Sequence, residues 1–105
     1  MAEIIENCQG FEWDDRNSSK NWHLDRVSDG ECEEIFFNLP LIIALHNRRK
    51  TNESRFFALG QTETGRKLFV AFTVRNKLIR VISAREMTRS EGRKYAEKIK
   101  RDTDI

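Results

Sequence analysis

An α+β fold is predicted for this chain: two N-terminal helices, a four-stranded, mainly antiparallel sheet and a C-terminal helix. Three observations predict it. Two capping signatures, Ser28-x-x-Glu31 and Thr88-x-x-Glu91, each stand before a helical stretch. Between them, apolar runs of strand length follow one another from Leu41 to Arg85. The links between the last three runs are too short for crossover helices, so those strands form an antiparallel meander.

The elements read in order as follows. "FEWD" (Phe11 to Asp14) alternates over too few residues for more than a brief strand. Asp14 is placed to cap a first helix over Asp15 to Leu24, whose main apolar residues are Trp22 and Leu24. The Ser28 box opens a second helix with Cys32, Ile35 and Phe36 on one stripe, and Asn38 and Pro40 end it. Glu31, Glu33 and Glu34 lie near its start, where the helix dipole favours negative charge, so they have a structural reason to be there. Strands follow in "PLIIALH", "RFFALGQ", "KLFVAFTV" and "LIRVISAR". Gly65 gives the turn before the third of these its freedom to take positive φ. The Thr88 box then opens the last helix, in which Met87, Glu91, Tyr95 and Ile99 recur every four residues. Helices are expected to cover one face of the sheet and leave the other partly open.

At 105 residues the chain fits a single domain, 1–105. No apolar run is longer than Leu41 to Leu45, far short of the roughly 18 residues of a membrane helix. The acidic N-terminus lacks the basic region of a secretory signal, and Cys8 and Cys32 are too few for a disulfide framework. A reduced, cytoplasmic protein without membrane attachment is expected. The net charge of +2 conceals an asymmetry: residues 1–34 carry ten acids and three bases, while residues 35–105 carry sixteen bases and seven acids. The second part is a candidate surface for a polyanion.

The chemistry-bearing residues are mostly arginines set in or beside apolar strands. Arg55 starts one run, Arg75 ends the next, Arg80 interrupts "LIRVI" and Arg85 closes the last strand. An arginine among apolar neighbours needs an anionic partner or an open groove. Glu53 and Glu63 are candidate internal partners for Arg80. Strict alternation puts Arg80 and Arg85 on opposite faces, so they share a groove only if a bulge or the strand end re-aims one of them. Arg89, Arg93, Lys94, Lys98, Lys100 and Arg101 make the last helix strongly basic, a pattern that also fits a solvated helix face. His23 and His46 have no metal spacing and read as surface residues. No Gly-rich phosphate loop, zinc motif or Ser-His-Asp order is present, so neither a metal nor a cofactor is expected.

Together these stretches resemble the BrnT family, small ribonuclease toxins of type II toxin–antitoxin systems. The resemblance runs over residues 11 to 95 through "FEWD", Asn21, "ECEEIFFNLP", Glu53, Arg55, Gly60, "GRKLFVAFTVR" and "IRVISAREMTRSEGRKY". It implies a RelE-like fold and metal-free endoribonuclease activity. It also implies a dimeric DNA-binding antitoxin like BrnA, in a two-plus-two heterotetramer. By the same resemblance Glu53, Arg55, Arg75, Arg80 and Arg85 belong to the active groove or its supports. The expected catalytic set is Glu53, Arg55, Arg80, Arg85 and Tyr95, with Glu53 as base and Tyr95 or a cation as acid. Arg75, Arg89, Arg93 and Lys94 are the expected RNA-binding residues. One departure stands out. The family's Lys-His pair before the Val-Ser is replaced here by "LDR" before Val27, with His23 out of register. The alternative reading is a weakened or inactive toxin-like module that binds antitoxin and nucleic acid.

Overall fold

The computed structural model describes residues 6–46 and 54–103. Glu53 lies outside the described residues, as does the side chain of Asn21. The elements are β1 (Gly10–Phe11), α1 (Lys20–Asp25), α2 (Asp29–Glu34), β2 (Ile42–His46), β3 (Arg55–Gln61), β4 (Lys67–Arg75), β5 (Leu78–Glu86) and α3 (Arg89–Thr103). The predicted α+β class holds, and the meander from β2 to β5 is antiparallel throughout. The sheet has five strands rather than four, in the order β1-β5-β4-β3-β2. The added strand, Gly10–Phe11, shares only Phe11 with the predicted "FEWD" strand and pairs in parallel with the start of β5 through Gly10–Leu78 and Phe11–Ile79.

The first helix is shorter than predicted. Residues 15–19 form turns, and Ser19 takes a left-handed φ of 63°, a conformation that cannot continue a helix. Asp29 holds this corner by accepting from the Ser18 hydroxyl at 2.6 Å and from the Ser19 N–H at 3.0 Å. Both predicted capping boxes are present. Ser28 and Glu31 bond reciprocally at the start of α2. Thr88 and Glu91 do the same at the start of α3, at 2.9 and 3.2 Å.

The stripe foreseen on the second helix forms the core. Cys32, Ile35 and Phe36 pack with Val27 against Phe56, Ala58, Leu68, Val70, Phe72, Ile79, Val81 and Ala84. Phe36 meets Phe72 edge-on at 5.1 Å, and Phe72 stacks on Phe56 at 5.4 Å. Gly60 fits here: a Cβ on it would lie 3.0 Å from the Ile35 side chain, a tight approach that the end of α2 would have to yield to. Burial pushes the Cys32 thiol up to about 12, so it behaves as a small core hydrophobe.

The β5 core residues are Ile79, Val81 and Ala84, a sequence that breaks strict alternation. The cause is a β-bulge. Phe72 pairs with Val81 and Ala71 with Ser83, so Ile82 is the extra residue. The carbonyls around it are satisfied from outside the sheet. Asn17 Nδ2 donates to Val81 O at 3.0 Å, and Lys20 Nζ donates to Ile82 O at 3.3 Å. The buried Asn17 is thereby tied to the bulge.

The helices do not all lie on one face. α2 belongs to the core side through Cys32, and α1 packs by β5. α3 flanks the opposite face, where its residues line a groove together with β2, β3 and β4. No helix among the described residues is long and apolar enough to cross a membrane.

Candidate functional site

Residues opposed across antiparallel strands point to the same side of the sheet, so the register lays out the face opposite the core row by row. One row is His46, Arg55, Thr73 and Arg80. The middle row is Ala44, Phe57, Ala71 and Ser83. The third is Ile42, Leu59, Phe69 and Arg85. The bulge at Ile82 is what places Arg80 and Arg85 on one face, since without it their five-residue separation would set them on opposite sides.

A groove of about 630 Å³ lies between this face and α3. Its floor is Ile42, Ala44, Phe57, Leu59 and Phe69, and its wall is Arg85, Glu91, Lys94, Lys98 and Arg101. Helical geometry explains the wall. Residues 91, 94, 98 and 101 fall on one stripe at 100° per residue, while Tyr95 and Ile99 turn inward and Arg89, Arg93 and Lys100 turn away.

The Arg85 fork is aimed by four contacts, one of them to the Glu86 carbonyl at 3.1 Å. Its two terminal nitrogens donate to the Glu91 carboxylate at 2.7 and 2.9 Å. Its guanidinium also lies 4.2 Å from the Phe69 ring centre. The hydrogen bonds from Arg85, aided by the Thr88 N–H, hold the Glu91 carboxyl down at about 2, so it stays ionised in the groove.

Arg80 is engaged differently. It is buried and donates to both oxygens of Asp14, at 2.9 and 3.0 Å, and to Glu12 at 3.2 Å. Its partners among the described residues are Glu12 and Asp14 of the segment after β1, not Glu63, which is exposed. The hydrogen bond from Arg80 is the largest cause that holds the Asp14 carboxyl at about 2.

Tyr95 is fully buried, and its hydroxyl donates to the Pro40 carbonyl. Burial raises its pKa. The tyrosine thus anchors α3 to the chain entering β2 and does not line the groove. Tyr95→Phe is expected to lower stability by about 0.5–1.5 kcal/mol, the net value of one hydrogen bond, and to leave RNA cleavage unchanged. A melting curve and a cleavage assay on the same preparation check both halves. A large loss of rate with an unchanged melting curve would return Tyr95 to the reaction.

The remaining predicted residues are not gathered at the groove. Arg55 is exposed at the start of β3, two rows from Arg85. Arg75 is exposed at the hairpin between β4 and β5. Arg89 lies by a shallow depression with Arg66 and Lys67, and Arg93 is on the outward stripe of α3. Among the described residues of the predicted set, Arg85 and Lys94 line the groove itself. Lys98 and Arg101 were not singled out, although their spacing from Lys94 marks the stripe once α3 is known to face the sheet. Two other residues also escaped prediction. Arg66 bonds Glu31, Glu86 and the carbonyls of Asp25 and Arg26, stapling the α1–α2 corner to β4. His46, expected at the surface, is half-buried with its ring on Phe57 at 4.8 Å.

A family model described as the ribonuclease toxin BrnT of type II toxin–antitoxin systems matches residues 13–91. The chain belongs to the BrnT family. A search among curated proteins found no match. BrnT membership makes the chain a toxin-family protein, with RNA cleavage as the family activity and an antitoxin as the implied partner. The matched span includes Arg85 and Glu91 and ends before Lys94, so the rest of the groove wall lies beyond it.

Before Val27 this BrnT chain has Leu24, which is 72% exposed, then Asp25 and Arg26. The Arg85 pKa is raised mainly by its hydrogen bonds to Glu91, with the charge of Asp25 a lesser cause.

Proposed function

We propose that this chain is a RelE-like, metal-independent endoribonuclease toxin that holds an RNA phosphate at Arg85 and the cationic wall of the groove. The observation that carries the reading is the bulge-aimed Arg85, fixed by Glu91 beside three further cations on one helix stripe. In metal-free cleavage the RNA's own 2′-oxygen attacks phosphorus. The bond to the 5′-oxygen breaks, leaving a 2′,3′-cyclic phosphate and a 5′-hydroxyl. The protein must align the phosphate, stabilise the added negative charge, take the 2′-proton and return one to the leaving oxygen. Arginine's planar fork matches phosphate oxygens, which suits Arg85 to the first two tasks.

Glu53 is the proposed base, and Arg55 follows it by two residues at the edge of the same sheet face. The leaving oxygen would take its proton at the cationic wall, where Lys94 and Lys98 carry ammonium donors. Arg80 and Tyr95 are positioning residues in this scheme: one braces the segment after β1 and the other seats α3. Arg75, Arg89 and Arg93 would extend phosphate contact beyond the groove.

The test is cleavage of a defined RNA in the presence of a chelator, with analysis of the ends. A 2′,3′-cyclic product, and resistance of a substrate with one 2′-deoxy position at the cut, are expected. Chelator-sensitive cleavage, or a 3′-hydroxyl product, would exclude the scheme. The second reading, a binding module that does not cleave, is favoured by Leu24 and Asp25 standing where the resemblance calls for a Lys-His pair. It predicts intact RNA in the same assay and a growing culture when the chain is expressed without its neighbouring open reading frame.

A further inference from the structure

We propose that the face of the sheet inside the groove is a base-stacking platform, on which Phe57 and Phe69 take unpaired bases of single-stranded RNA. This rests on the ribonuclease reading above and adds the form of the substrate.

Flat groups cross the face in an unbroken series. The His46 ring lies 4.8 Å from that of Phe57, Phe57 lies 5.0 Å from Phe69, and Arg85 lies 4.2 Å from the Phe69 centre. The series spans β2 to β5 and ends on the cation assigned to phosphate. The aromatic rings of the other face are accounted for, because Phe36, Phe56 and Phe72 fill the core. Phe57 and Phe69 lie outside that core, are only half-buried and line the groove. The neighbours of Phe57 across the strands are Ala44 and Ala71, both small side chains.

Apolar rings kept partly wet beside a cationic wall call for a ligand that is flat and apolar on one side and anionic on the other. Single-stranded RNA has that character: every base offers a π-face, and each nucleotide carries a phosphate. Duplex RNA hides its base faces in its own stack, so the platform selects unpaired nucleotides. Because any base can stack, it adds affinity without strong sequence preference.

The experiment is fluorescence anisotropy with an unstructured 2′-O-methyl oligoribonucleotide, which lacks the attacking hydroxyl, and with the matching duplex. The wild-type chain is expected to favour the single strand. Phe57→Leu and Phe69→Leu, with melting curves confirming the fold, are expected each to weaken single-strand binding within a range of about 5- to 150-fold. Their salt dependence should stay that of the wild type, because the cations remain. Phe57→Tyr should restore binding, and Phe37→Leu, which removes a ring away from the groove, should not change it. Folded variants that bind the single strand like the wild type, or that lose single strand and duplex alike, would overturn the platform while leaving the ribonuclease reading intact. A wild-type chain that binds neither strand would overturn both. Variants that keep the oligonucleotide but lose the antitoxin would assign the face to a protein instead.

Discussion

Arg85→Ala is expected to slow RNA cleavage by about a hundred- to a thousandfold while leaving the chain folded. The rate loss follows from the role proposed for Arg85. Charge builds on the phosphate oxygens in the transition state, and a fixed donor aimed at that charge needs no reorganisation to meet it. Stability should change little. The pair with Glu91 is partly solvated, with side-chain exposures of 39% and 21%, and such pairs contribute about 0–1 kcal/mol. The start of α3 keeps its own cap, because Thr88 and Glu91 bond without the arginine.

Glu91→Gln separates the two roles Arg85 can have. If Arg85 only braces the helix cap, Arg85→Ala and Glu91→Gln should be equally mild. If Arg85 binds phosphate, the glutamine variant removes a competing negative charge, keeps the cap and binds RNA at least as tightly as the wild type. Single-turnover cleavage and RNA affinity, measured on both variants, decide between them. Equal and small effects of the two changes would remove Arg85 from the chemistry.

What was legible in the sequence shows why this arginine was identifiable and its surroundings were not. Strands β3, β4 and β5 could be read almost to the residue, because long apolar runs with short links leave few alternatives to a meander. Both capping boxes could be read because a serine or threonine three residues before a glutamate is a local signal. The bulge could not. Ile82 looks like any other strand residue in "LIRVISAR", and its extra place in β5 depends on Asn17 and Lys20, more than sixty positions away, taking up the carbonyls there. The ion pairs of Arg80 were hidden for the same reason, since Asp14 and Glu12 come near only when β1 docks beside β5. A two-residue parallel strand has too little pattern to announce itself. The side of the sheet taken by α3 was also not local information. Until that side is known, the basic helix cannot be divided into a groove stripe and an outward one.

Reversing charge at Lys94 and Arg101 together is expected to weaken the complex with the antitoxin by about two to three orders of magnitude, because like charges forced together cost several kcal/mol. The partner proposed is a small acidic protein like BrnA, itself a dimer, in a two-plus-two assembly. The groove gives the reason for expecting acidity. A toxin is silenced most directly by covering the surface that holds its substrate, and here that surface is an apolar floor beside a cationic wall. A partly disordered acidic segment can fold onto it, setting apolar side chains on Phe57, Leu59 and Ile42 and carboxylates against the helix. Salt should slow association of the wild-type pair, whereas the apolar anchors should set the dissociation rate. The reversed chain should show slow association even at low salt. Co-expression with the neighbouring gene product, purification and light scattering give affinity partner and mass together. RNA should compete with the antitoxin for the wild-type chain, since both would need Lys94. A reversed chain that still forms the full complex and still arrests no growth would place the antitoxin on another surface, leaving the groove to RNA alone.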